Sequence, residues 1–488
     1  MTAVLPPLVE ATAEDLGHAY RQLQRTLLQF LPLGGLFVVA SLVPESFTRA
    51  MALGLVLLVF WAVLRAWDIC SNDELPHLPV YVLMQTLMLA LPIYKDSEGL
   101  LTPLDQIFPA GMNIACWLGG LFVGWKLCPE SWGVLPPSPR LPVQVARIPV
   151  LPHLLLAVGL AIELFIRSDF YWQLLGSGGT SLLSPIRTGA LMLELVGGFL
   201  GALEFGLGRL PSDLVWWALW LGVVVNSLYS LLLSASQSLL MATLFGVWLT
   251  SIKRAIPVTL ALLFLFSVLH AGKYAMRHKH WEEGQQMPSN PIELIDGWLE
   301  ASRRASKKPS KDQHSAEARF NLTQNVLFVQ TAIAKGYQPM FGGSYAVVPQ
   351  VLVPRIFASE KVRSQEGQVL LNLHFGRQQT REETETTYIA WGMLAEAIGN
   401  FDNLLGPLLM GGVYGALVRI SANLARYQYL FSTPGVISMI LMMLWVVSSE
   451  FVASTFAASA FQWVMMLLGL MWVVRRLIPD GGHSSEFS

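Results

Sequence analysis

The chain has 488 residues and a formal net charge of −1; 53% of its residues are hydrophobic and only 13% are charged. Soluble domains carry about 25% charged residues, so a water-bathed globular enzyme is excluded, as is bulk electrostatic capture of nucleic acid. The three cysteines, Cys70, Cys116 and Cys128, form no CxxC pair and supply neither a disulfide framework nor a zinc site.

A bilayer core needs about 20 mostly apolar residues per helix. Residues 10–26 mix acids and bases ahead of the first apolar run, where a signal peptide would place a basic n-region. They predict a cytoplasmic N-terminal helix within residues 1–26. Apolar runs then predict spans near 27–43, 49–65, 78–94, 107–125, 148–166, 188–207, 213–230, 235–251 and 255–272. The sixth holds Glu194 and Glu204, which are open to pairing with bases on neighbouring helices that the sequence does not name. Three more runs follow a long gap, near 403–419, 434–450 and 455–474. The expected fold is all-α and polytopic, with about twelve transmembrane helices: nine in 27–272, three in 391–474, and a cytoplasmic tail at 475–488.

Orientation follows from Lys and Arg in the short loops. With the N-terminus inside, the cytoplasmic side receives Arg21, Arg25, Arg65, Lys126, Arg140, Arg147, Arg209, Lys253, Arg254, Arg419, Arg426, Arg475 and Arg476. The other side receives Arg49, Lys95, Arg167 and Arg187. Both termini are therefore expected in the cytoplasm. Arg187 runs against the bias, which fits either a specific anion partner or snorkelling to the interface.

The ninth span then exits on the far side, and residues 273–390 form a large external loop. It holds 15 of the 32 Lys+Arg and 12 of the 33 Asp+Glu. Its first part, to about 315, is polar. His278 and His280 in HKH lack a third ligand at a workable spacing and read as a solvated face. The run from Arg303 to Lys311 reads as a helix end or linker in water. From 316 to 402 charged residues sit singly among apolar ones, as suits a segment packed onto the membrane domain with polar groups aimed at a cavity. Glu396, Asn400 and Asn403 would form one polar stripe on a helix. An ionisable group at membrane depth is a functional-site hypothesis by default.

The succession PMFGGSY (339–345), VPRIFASEK (353–361) and AEAIGNFDNLLG (395–406), placed between a long external loop and the closing spans, resembles the bacterial oligosaccharide repeat-unit polymerases, the Wzy-type O-antigen polymerases. PHLPVYVLMQTLMLALPIY (76–94) resembles an early segment common in that family. The resemblance implies a GT-C-type glycosyltransferase of the bacterial inner membrane, with its large loop in the periplasm. Such an enzyme moves a growing glycan from undecaprenyl diphosphate onto another lipid-linked repeat unit.

A diphosphate leaving group needs fixed cationic donors, and Arg binds phosphate oxygens bidentately. Arg355 is the first choice, with Arg319, Lys361 and Arg187 as helpers. Glu396 is the carboxylate best placed as a base for the attacking hydroxyl, while Tyr345 and Asn400 orient sugar or neighbouring side chains. No DxD-like pair or His cluster stands in the loop, so no metal or other cofactor is expected. The expected partners are the lipid-linked oligosaccharide and membrane lipid; a chain-length regulator and export machinery are left open. Two alternatives stand beside this reading. One is an O-antigen ligase-like transferase, which differs only in its acceptor. The other is a lipid-linked glycan transporter or flippase, although no pair of Gly/Pro-broken spans occupies matching halves.

Overall fold

The computed structural model describes residues 12–477 apart from 72–73, 95–103, 139–150, 169, 172, 174–178, 209–213, 232, 289, 308–321, 354–360, 387–388 and 431. Among the described residues it is helical, without β-strands. The helices are α1 (Ala13–Leu42), α2 (Phe47–Cys70), α3 (His77–Tyr94), α4 (Ile107–Leu127), α5 (Leu151–Arg167), α6 (Gly179–Leu207), α7 (Leu214–Leu228), α8 (Ser234–Thr250) and α9 (Ile252–Arg277). Then come α10 (Pro291–Lys307), α11 (Leu322–Ala334), α12 (Glu366–His374), α13 (Met393–Phe401), α14 (Leu405–Asn423), α15 (Thr433–Val447) and α16 (Ala453–Leu477).

Each of the twelve apolar runs falls on its own helix. Seven helices, α1, α2, α3, α4, α6, α9 and α14, are long and apolar enough to cross a membrane, and α7, α8, α15 and α16 carry shorter apolar stretches. Beyond the polar first turns of both helices, the large side chains that α1 and α9 leave uncovered include Leu33, Leu36, Phe37, Leu260 and Phe264. Only lipid accepts such a surface over whole helices. The protein is a helical polytopic membrane protein.

The expected N-terminal helix and first span are one continuous helix. Thr12 opens it with a capping box, its hydroxyl accepting from the Asp15 N–H (3.2 Å) and Asp15 Oδ2 accepting from the Thr12 N–H (2.8 Å). No break follows near residue 26, because the polar residues there are tied to α2. Gln24 donates to the Leu64 carbonyl (2.9 Å), and Arg25 pairs with the buried Asp68 (3.0 Å).

The closest helix pair is α4 with α14, and its cause is a matched glycine spacing. Gly120 and Gly124 on α4 meet Gly411 and Gly415 on α14, a small-xxx-small pattern on both partners that lets backbones touch. A Cβ on Gly124 would stand 1.8 Å from the Gly412 carbonyl oxygen. At the far end of α14, Arg419 pairs with Glu74 (3.1 Å) and Glu130 (3.4 Å) and lies over the Trp125 ring (4.2 Å). Arg426 joins Glu130 (3.0 Å). Arg25, Arg65, Arg419 and Arg426, all assigned to one side by the charge bias, thus gather with their acids at one end of the bundle, where Arg21, of the same side, donates to the Ser71 carbonyl (2.5 Å).

The described residues of the long loop fall into two parts, on either side of 308–321, and Lys308, Lys311 and Arg319 lie outside the described residues. In the first part α10 lays Trp298 against α9, the indole N–H donating to the Leu269 carbonyl (2.7 Å), while Arg303 and Arg304 stay exposed. The second part packs onto the bundle. α11 is mostly buried, Thr323 donating to the Leu89 carbonyl of α3 (2.6 Å) and Asn113 of α4 donating to Gln330 (3.1 Å). α13 is a separate helix of 9 residues ahead of α14 and forms no part of the tenth apolar run.

Candidate functional site

The site is built where the loop meets the bundle at the opposite end from Arg419. The chain enters α13 through Gly392, whose φ of 83° favours glycine. The Gly392 N–H donates to the Glu450 carbonyl (3.2 Å), which ties α13 to the connection between α15 and α16. One turn on, Glu396 has no exposed surface. Its Oε1 accepts from the Ser344 hydroxyl (2.6 Å) and its Oε2 from the backbone N–H of Ala453, the first residue of α16 (2.7 Å).

Asn400, one turn further and equally buried, completes the group. Its amide donates to Ser344 Oγ (2.8 Å) and to the Glu396 carbonyl (2.8 Å), and its Oδ1 accepts from the Ser344 N–H (3.4 Å). Met340 and Phe341 donate through their backbone N–H groups to the Gly399 and Asn400 carbonyls (2.9 Å each). A carboxylate in such surroundings must be hydrogen-bonded or protonated. Burial pushes Glu396 up to about 7, while the Ser344 and Ala453 donors hold it down. A carboxyl poised there exchanges its proton near neutrality, as a general base requires.

Tyr345 stacks flat on Phe401, with centroids 5.9 Å apart and planes 9° apart. Its hydroxyl is buried without a hydrogen-bond partner among the described residues and lies within electrostatic range of Glu396, Tyr81 and Tyr414. Tyr81 donates to Met393 Sδ (3.2 Å). Phe341, Asp402 and Leu404 have φ values of 49°, 71° and 59°. Strain of this kind persists where packing over-determines the backbone, and it clusters at functional sites. Phe341 is itself 76% exposed beside the sealed group.

The expected polar stripe is therefore two residues long. Glu396 and Asn400 share a face, but α13 ends at Phe401, and the left-handed Asp402 turns Asn403 toward α4. There Asn113 Nδ2 donates to Asn403 Oδ1 (2.9 Å) and the Leu404 N–H donates to Asn113 Oδ1 (2.7 Å). Gln106, Asn113, Gln330 and Asn403 line a cavity of about 210 Å³. A larger cavity, about 560 Å³, lies at the opposite end beside Glu14, His18, Arg21 and Arg426.

Of the other sequence-derived candidates, Arg355 and Arg319 lie outside the described residues. Lys361 is half-buried in the coil that leads into α12. Arg187 is exposed on α6, where it faces Arg167 rather than the Glu396 group. His278 pairs with Glu283 (3.1 Å), His280 donates through Nδ1 to the Gln285 carbonyl (2.8 Å), and no group of three His, Cys, Asp or Glu could hold a metal among the described residues.

The sequence reading missed Ser344, although it sits inside the GGSY segment that carried the resemblance. It also missed Arg377, one of many loop cations. Arg377 is half-buried, donates to Asn325 Oδ1 (2.8 Å) and lies 5.2 Å from the centre of the Phe328 ring. Burial lowers its pKa from the usual Arg value. No local pattern marks it, because its burial comes from α11.

Searches against protein-family models, curated proteins and solved structures give no match to this chain.

Proposed function

We propose that the protein is a membrane glycosyltransferase that polymerises undecaprenyl-diphosphate-linked repeat units at the periplasmic face of the bacterial inner membrane. The observation that carries this reading is the sealed Glu396–Ser344–Asn400 group, made by joining the loop turn at 340–345 to α13 and α16. In the reaction an acceptor hydroxyl attacks the anomeric carbon of the donor glycan. The new glycosidic C–O bond forms as the bond to diphosphate breaks, and undecaprenyl diphosphate leaves. Glu396 receives the hydroxyl proton by way of Ser344 when the Phe341–Tyr345 turn opens to admit substrate. The amide-lined cavity beside Asn403 has no charged side chain among its lining residues and suits sugar hydroxyls. Arg355, with Arg319 and Lys361, neutralises the leaving diphosphate. In this reading the chain crosses the membrane twelve times with both termini in the cytoplasm, and the chemistry lies on the outer side.

A strain lacking the gene, complemented with the wild type, tests the reading by resolving surface and lipid-linked glycans by size. A polymerase restores a ladder from single repeat units. Accumulation of long undecaprenyl-linked chains in the null strain would mark a ligase instead, and failure of repeat units to reach the periplasm would mark a transporter. Arg355→Ala should lower long-chain product by at least about tenfold, the worth of one charge-assisted hydrogen bond, and a normal ladder would remove Arg355 from the mechanism. Phe341→Cys, in a background with Cys70, Cys116 and Cys128 replaced by Ala, should react with an impermeant thiol reagent from the periplasm. Labelling only after lysis would reverse the orientation and with it the mechanism.

A further inference from the structure

A second polar site lies within the helices α5, α6 and α7, independent of the Glu396 group and of the proposed transferase activity. Glu194 on α6 is 1% exposed, and its Oε1 has no hydrogen-bond partner among the described residues. It packs on Gly159 of α5 so closely that a Cβ there would stand 2.6 Å from Glu194 Cγ. One turn along α5, Glu163 lies within electrostatic range of it, as does Arg167. Arg167 is already engaged with Glu163 through Nη2 (3.6 Å), and Asn226 of α7 donates to Glu163 Oε2 (3.2 Å). Asn226 is 6% exposed, and its Oδ1 is also buried without a partner.

The charges facing Glu194 are thus one acid and one base, both on α5. Arg187, on Glu194's own helix, is exposed to its surroundings and faces Arg167, as does the ring of Tyr229 (5.5 Å). Arg167 pairs with Glu163 through Nη2 while its buried Nη1 has no partner, and the second cation, Arg187, is exposed, so Glu194 is left without an ion-pair partner among the described residues. An isolated carboxylate held away from water is too costly to persist. Two buried acceptor oxygens without partners among the described residues, Glu194 Oε1 and Asn226 Oδ1, stand on different helices on either side of Glu163, which is bonded to Asn226 and lies within electrostatic range of Glu194. We propose that Glu194, Glu163 and Asn226 form an intramembrane site for one monovalent cation, a sodium ion or a proton. One charge is what the balance lacks, and paired acids inside a helical bundle are how membrane proteins hold such ions.

The test uses the purified full-length protein in detergent and reads its unfolding temperature. Replacing choline chloride by sodium chloride, or lowering the pH in choline from mildly alkaline to mildly acidic, should raise Tm by about 2 °C or more, the acid arm being run in a Glu396→Gln background so that the carboxyl of Glu396 does not contribute. Glu194→Gln carries a neutral amide and should lose that increment. An increment from sodium identifies sodium as the occupant, and an increment from acid alone identifies a proton. No increment in the wild type, or one that survives in Glu194→Gln, would overturn the proposal. Should Glu194→Gln fail to accumulate, Glu163→Gln decides, because it frees Arg167 for Glu194 and must also lose the increment.

Discussion

Glu396→Gln should reduce long-chain product by about 10²-fold or more, the usual contribution of a general base, while leaving the protein at wild-type levels in the membrane. The amide fits the site. Its oxygen can accept from the Ala453 N–H and its NH₂ can donate to Ser344 Oγ, so the turn, α13 and α16 stay joined; the charge, the basicity and the acceptor of the Ser344 hydroxyl proton are lost. Glu396→Ala is the contrast: it strands a buried hydroxyl and a buried N–H, each worth about 1–3 kcal/mol when unpaired, and should lower accumulation as well. In the wild type the rate should climb as pH rises through about 7, because the base works only when deprotonated and burial has raised Glu396 to that range. Ser344→Ala removes the proton relay as well as a donor that stabilises the charged form, so the rate should fall and the remaining limb should move to higher pH. A Gln variant that polymerises normally would reduce Glu396 to a structural tie.

How much of this the sequence disclosed depends on the distance over which the cause acts. Apolar runs are local, and all twelve fall on helices. The charge bias is also local in origin, and five of its arginines gather at one end of the bundle, four of them with their acids. What escaped depends on contacts between distant segments. The stripe through Asn403 fails because Asp402 adopts φ 71°, a choice dictated by packing against α4. Ser344 was visible as a letter in GGSY, but its importance comes from Glu396, 52 residues away. The neighbours of Glu194 could not be named from the sequence, because Gly159, Glu163 and Arg167 lie on another helix, α5. The N-terminal helix merges with the first span for the same reason: Gln24 and Arg25 find partners on α2 that no local pattern announces.

The largest loss of folded protein is expected at the glycine seam between α4 and α14. Gly124→Ala places a Cβ 1.8 Å from the Gly412 carbonyl oxygen, and Gly415→Ala places one 2.0 Å from the Leu121 carbonyl oxygen. Both neighbours are backbone, so neither can swing aside and the helices must separate. Overpacking of this kind costs about 1–3 kcal/mol and sometimes more, and here it also breaks the close contact on which association of two membrane helices depends. Gly119 and Gly412 lie on the same two helices, yet a Cβ on either meets nothing within 4 Å. Gly119→Ala and Gly412→Ala should therefore melt like the wild type in detergent, while Gly124→Ala and Gly415→Ala melt lower and accumulate less. Equal melting of all four would mean that α4 and α14 are not in backbone contact. That outcome would reach the site directly. α14 starts at Leu405, four residues after α13 ends at Phe401, and Asn113 on α4 holds the strained turn between them. The glycine seam therefore fixes where α13 stands, and with it the carboxyl of Glu396 against Ser344.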